Sequence, residues 1–70
     1  MVPRIPHPLL DKLLAEYMLP NDAALARVLE MLPPDISRVR NRLRPMSAAF
    51  ILRVHEVTDW PIKRIKELGA

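Results

Sequence analysis

Residues 21–41 read NDAALARVLEMLPPDISRVRN, two apolar rhythms separated by a double proline. In the first, Leu25, Val28, Leu29 and Leu32 recur at i, i+3, i+4 and i+7, one face of a helix. Asn21 and Asp22 read as an N-cap pair ahead of it. Pro33-Pro34 stops this helix and supplies residues suited to the first turn of the next. Asp35 then sets a carboxylate near the positive end of the helix dipole. In the second rhythm, Ile36, Val39 and Leu43 fall at i, i+3 and i+7. Small Ala26 permits a close crossing, with Leu25, Leu29, Ile36 and Val39 filling the angle. The spacing predicts two short helices joined by a tight turn, the second presented outward.

The pattern extends in both directions. Prolines at 3, 6, 8, 20, 33, 34, 45 and 61 divide the chain, and each stretch between them is a candidate element. Leu10, Leu13, Leu14 and Tyr17 line a helix over 8–19, with Tyr17 and Met18 assigned to the core. Ser47 is a plausible N-cap for a helix over 47–58 carrying Phe50, Ile51, Val54 and Val57. Ile62, Ile65 and Leu68 line a last helix over 61–68, with Gly69 as its stop. With 22–30 and 33–43 this makes five helices and no strand, one domain over 8–70 behind an extended or flexible arm, 1–7. The expected fold class is all-α.

Seventy residues, half of them hydrophobic and 27% charged, suit one small folded domain. A core of this size is marginal, which favours a dimer or a ligand. There is no cysteine, so disulfides and thiolate metal sites are excluded. His7 and His55 are too far apart in sequence to suggest a zinc site. No apolar run approaches the length of a membrane span, and no secretory signal is read at the start. One glycine leaves little for a phosphate-cradling loop. Glu56 and Asp59 form a carboxylate pair without a nucleophile, so no enzymatic chemistry, metal or cofactor is expected.

Charge is unevenly spread. Residues 1–35 carry three basic and five acidic residues, whereas 36–70 carry eight basic and three acidic. No acid lies between Asp35 and Glu56, a window holding Arg38, Arg40, Arg42, Arg44 and Arg53. Arginine suits bidentate contacts to phosphate and guanine, and a concentrated basic patch points to a polyanion. A solvated helix face is the plainer reading.

At about 100° per residue, Pro34, Ser37, Arg38 and Asn41 fall opposite the apolar side of 33–43. Arg38 is central and is the candidate reader of guanine O6 and N7. Ser37 suits a phosphate or base edge, and Pro34 a thymine methyl. Arg42 and Arg44 follow the helix and suit backbone contacts. Arg40 lies nearer the apolar side, its stem snorkelling over the core. Asp35 reads as a capping residue rather than an acceptor from cytosine. His55 reads as a boundary residue and Trp60 as a core plug. Arg4 and His7 read as a tail, with a minor-groove arm as the alternative.

Residues 21–29 and 33–41 together resemble the two motif helices of the Cro/lambda-repressor-like helix-turn-helix family, and 47–59 and 61–68 are similar to its closing helices in order and length. The likeness is to short prophage, plasmid and bacterial regulators. The chain departs from the family in carrying Glu30 where glycine is usual at the turn, so Glu30 predicts either strain or a different turn. Arg42 replaces the glycine that often follows the asparagine, and Asp22 stands where a phosphate-contacting glutamine is frequent. Two prolines open the recognition helix where polar base readers often stand.

The resemblance implies a compact five-helix DNA-binding domain and a phosphate contact for Asn41. The expected set is then Pro34, Ser37 and Arg38 for bases, and Asn21, Asn41, Arg42 and Arg44 for the DNA backbone. The expected function is a sequence-specific double-stranded DNA-binding regulator, a repressor acting in the bacterial or phage-infected cytoplasm. It is expected to act as a homodimer on a palindrome, paired through Trp60 and helix 61–68. Two alternatives are a protein-binding module, such as an antitoxin or a phage-encoded inhibitor, and a nucleic-acid module without sequence preference.

Overall fold

The computed structural model describes residues 5–70. Among these the chain forms five α-helices and no strand: α1 (Pro8–Glu16), α2 (Asp22–Val28), α3 (Pro33–Arg40), α4 (Ala48–Thr58) and α5 (Ile62–Gly69). Every described proline stands outside a helix or in its first turn, where its missing N–H costs nothing.

Three helices begin on side-chain caps. The amides of Leu10, Ala24 and Phe50 donate to His7 Nδ1, Asn21 Oδ1 and Ser47 Oγ at 3.3, 2.9 and 3.1 Å. Helices α3 and α5 begin on Pro33 and after Pro61, with no side-chain cap. Asp35 is therefore not a cap. It sits in the first turn of α3, acting on the dipole by charge alone.

Helices α1, α2 and α3 each end sooner than the spacing predicts, and each ends the same way. Met18, Glu30 and Arg42 all adopt φ 54°, the left-handed region. One residue further on, the amides of Leu19, Met31 and Leu43 reach back to the carbonyls of Leu14, Ala26 and Arg38 at 2.8, 2.8 and 3.1 Å. This is the Schellman closure, made three times without a glycine. Periodicity cannot register it, because an apolar residue past the closure keeps the helical rhythm while leaving the helix. Met18 and Leu43, both assigned to the core by rhythm, are accordingly 90% and 73% exposed. Tyr17, Val28 and Leu32 are also exposed, whereas α4 and α5 match their expected spans to within a residue.

The core is built from Leu9, Leu10, Leu13 and Leu14 of α1, Leu25 and Ala26 of α2, Leu29, Ile36 and Val39, Phe50 and Val54 of α4, and Ile65 of α5. Helix α2 packs on α3, α4 on α5, and α1 against both α2 and α5. Gly69 lies inside α5, not beyond it, and a Cβ there would run into the thioether of Met46.

A buried guanidinium joins the first three helices. Arg40, on α3, is 5% exposed. Its Nε and Nη2 donate to both carboxylate oxygens of Asp22 at 2.7 and 2.9 Å. Its Nη1 donates to Asp11 Oδ1 at 2.9 Å and to the Ile5 carbonyl at 2.7 Å. The expected snorkelling is thus corrected: the charged head itself is enclosed, held by acids from α1 and α2. Burial is the largest single influence on Arg40 and favours loss of its proton, but the hydrogen bonds to Asp22 and Asp11 and their negative charges together outweigh it and raise its pKa.

Candidate nucleic-acid interface

Helix α3 turns Ile36, Val39 and Arg40 inward, so the opposite side faces solvent. Pro34, Ser37, Arg38 and Asn41 are all exposed there, as the wheel predicts, and Arg42 and Arg44 are exposed just beyond. Arg38 and Arg44 line one groove, whereas Arg42 turns towards the end of α5 and lines a second groove with His7 and Arg44. Asn21 stands apart at the start of α2, where its side chain is spent on the cap.

Several of these side chains are already engaged. Arg38 Nη1 donates to Asp35 Oδ1 at 3.0 Å, one turn back on the same helix. Asn41 Nδ2 donates to the carbonyl and hydroxyl of Ser37 at 2.8 and 3.2 Å. Arg42 Nη1 donates to the Gly69 carbonyl at 3.1 Å, tying the loop to the end of α5. These are exposed contacts of small net strength, and a phosphate can displace them at little cost. Among the described residues Arg44 makes no ion pair. It stands between two surface grooves: one of about 320 Å³ also lined by Asp35, Arg38 and Ser47, the other of about 260 Å³ also lined by His7 and Arg42.

Asp22 stands where a negative charge would repel a phosphate approaching the N-terminus of α2. Both its carboxylate oxygens are taken up by Arg40, which neutralises much of that repulsion. Sequence reasoning missed this role for Arg40. The available signal was its position on the apolar side of the α3 wheel, where an unpartnered arginine is costly. It also missed Arg53, which reaches from α4 to Glu30 at 2.9 Å and so braces the turn between α2 and α3.

Arg4 lies outside the described residues, so nothing here bears on its expected place in an arm. His7 is buried and caps α1, which removes it from any tail or groove-binding arm. Burial lowers its pKa first, and the positive charges of Arg42 and Arg40 lower it further, against a smaller opposing pull from Asp11 and Asp22. Its Nδ1 accepts the Leu10 amide, so the neutral ring carries its proton on Nε2. Trp60 is half-buried against the core, with the Lys12 ammonium and Arg64 guanidinium 5.7 and 5.9 Å from its ring centroid. On α5, Ile65 and Leu68 are turned towards the core, which leaves Ile62 as the exposed apolar residue of that stripe.

No group of three or more potential metal-ligating acids and histidines occurs among the described residues. No helix is long and apolar enough to cross a membrane. No protein-family model matches the chain, and no curated protein or solved structure matches it.

Proposed function

We propose that this chain is a sequence-specific double-stranded DNA-binding regulator, of the phage or plasmid repressor kind, in which α2 and α3 form a helix-turn-helix and α3 enters the major groove. One observation carries the reading: a short helix seated on its neighbour by Ile36 and Val39 exposes Pro34, Ser37, Arg38 and Asn41, and is followed at once by Arg42 and Arg44. Two further features favour it. Glu30 and Arg42, at the positions where the resembled family carries glycine, both take the left-handed conformation that glycine would supply there. And the acid at the head of α2 is neutralised by Arg40.

On this reading Arg38 donates to guanine O6 and N7, a contact worth roughly 1–3 kcal/mol of discrimination. Ser37 and Pro34 flank it, facing a base edge or phosphate and a thymine methyl. Asn41, Arg42 and Arg44 hold phosphates and set the register of the helix. One such module makes few base contacts, so two copies reading half-sites roughly 34 Å apart supply the remaining specificity. The test is binding to duplexes of differing sequence across a salt series. Phosphate contacts give a steep fall in affinity with salt, about 0.9 of a logarithmic unit per contact for each tenfold rise in salt. Base reading gives a ratio between sequences that remains at fixed salt. A protein-binding module shows neither.

A further inference from the structure

Away from the exposed side of α3, α4 and α5 leave an apolar surface open. Ala48, Ile51 and Leu52 of α4, Ile62 and Lys66 of α5, and Met46 line a groove of about 490 Å³. Of these, Leu52 and Ile62 are 50% and 41% exposed. The outward side of α4 runs Ala48, Leu52, Glu56, each four residues on, hence about 6 Å apart along the helix. Helix α5 folds back along α4, since Gly69 at its far end meets Met46, just before α4 begins. Lys66, lining the groove with Met46 and Ala48, therefore lies towards the Ala48 end, and Glu56 lies at the opposite end.

This layout is self-complementary. A twofold axis beside Leu52 sets Leu52 against its own copy and brings the Ala48 end of each α4 to the Glu56 end of the other. Each Lys66 then faces the partner copy's Glu56, while apolar Leu52 and Ile62 are covered. We propose that this α4–α5 groove is where a second copy of the chain docks, antiparallel along α4, with Leu52 at the axis and reciprocal Lys66–Glu56 ion pairs at its two ends. Of the other exposed apolar residues, Ile5, Tyr17, Met18, Val28 and Leu32 line none of the described grooves, and Leu43 lines one beside arginines rather than between a lysine and an acid. Trp60 is half-buried against the core with Lys12 and Arg64 over its ring, and it lies outside this groove.

The patch is smaller than a standard interface of ~800 Å² per partner, which fits a weak, transient association of the isolated chains. Its Glu56 is only loosely held in the single chain, 4.0 Å from Arg53, which has a closer partner in Glu30. The inference deepens the DNA reading by naming the surface that sets half-site spacing, yet it is tested without DNA.

Equilibrium sedimentation of the full chain at neutral pH and low salt, from about 10 to 500 µM, is expected to show a monomer passing to a dimer. Leu52→Glu, folded by its circular dichroism, is expected to stay monomeric throughout. Glu56→Lys and Lys66→Glu are each expected to weaken dimerisation about tenfold, and the double swap to restore most of it. A wild-type chain that stays monomeric overturns the proposal. So does a dimer indifferent to Leu52→Glu, or a double swap no better than the single ones. Binding of the Leu52→Glu monomer to an isolated DNA half-site reports on the DNA reading separately. Its loss together with a normal dimerisation pattern sinks that reading and leaves this one standing.

Discussion

Replacing Arg40 by methionine keeps the stem and removes the guanidinium, leaving Asp11, Asp22 and the Ile5 carbonyl without the donor they share. Hydrogen bonds to charged groups are each worth about 1.5–3 kcal/mol, so simple addition over these contacts gives an unrealistically large sum. The acids that remain are not sealed in: the Asp11 and Asp22 side chains are 43% and 28% exposed. Water can solvate them once the arginine is gone, which places the cost at or below the ~3–5 kcal/mol typical of a broken buried pair. We expect a loss of about 2–4 kcal/mol. A domain of this length has about 3.5–10 kcal/mol in all, so a fifth or more of its stability is at stake. At roughly 4–8 °C per kcal/mol, the melting temperature should fall by about 10–30 °C. Thermal melts followed at 222 nm, with urea titration as a second measure, test this. Arg40→Lys should fall between the two, because it keeps the charge and loses the bidentate fork. An Arg40→Met protein melting within a few degrees of the parent would refute the idea that this clasp binds α1, α2 and α3 together.

Other expectations follow from the same structure. His7 has a folded pKa below its ordinary value, so the unfolded chain takes up its proton first as pH falls. Stability attributable to His7 is therefore complete above about pH 7 and declines as pH drops through the ordinary histidine value near 6.5. Protonating Nδ1 also removes the α1 cap, worth about 0.5–2 kcal/mol. Urea midpoints between pH 7.5 and 5.5 should fall for the parent and stay flatter for His7→Asn, which can cap at any of these pH values; equal slopes would defeat the assignment. Met18 is exposed at φ 54°, so Met18→Gly should relieve a left-handed residue without losing packing. The expected gain is about 0.5–1 kcal/mol by denaturant unfolding, and a loss of stability would contradict the left-handed closure of α1. Arg44→Ala should weaken binding to all duplexes alike and shrink the salt slope by about one per subunit, leaving sequence preference intact.

What could be read from residues alone was the inward half of the structure. Leu25, Leu29, Ile36, Val39, Phe50, Val54 and Ile65 declare themselves by spacing, and prolines mark the boundaries because they can stand in so few places. The exposed stripe of α3 came with them, since a helix that buries Ile36 and Val39 must expose Ser37 and Arg38. What stayed hidden depended on tertiary contact or on backbone conformation. Three left-handed closures at Met18, Glu30 and Arg42 use residues with no special preference for that region, so sequence offers no glycine to signal them. His7 looked like part of an arm because its role requires Leu10, Asp11 and Arg40 to surround it. Arg40 and Asp22 are eighteen residues apart, and only the packing of α2 on α3 makes them partners.

The central claim is that α3 reads DNA sequence through Arg38, and it is tested most directly by selecting bound duplexes from a random pool, in parallel, with the parent chain and with Arg38→Ala. The parent should enrich one short motif containing guanine and, if two copies bind together, its inverted repeat. Arg38→Ala, folded as judged by its helical spectrum, should lose roughly 1–3 kcal/mol per half-site and become indifferent at one base pair of each half-site, while the remaining positions stay selected. A parent that enriches no sequence, or an Arg38→Ala protein that selects the same motif with the same affinity, contradicts the claim.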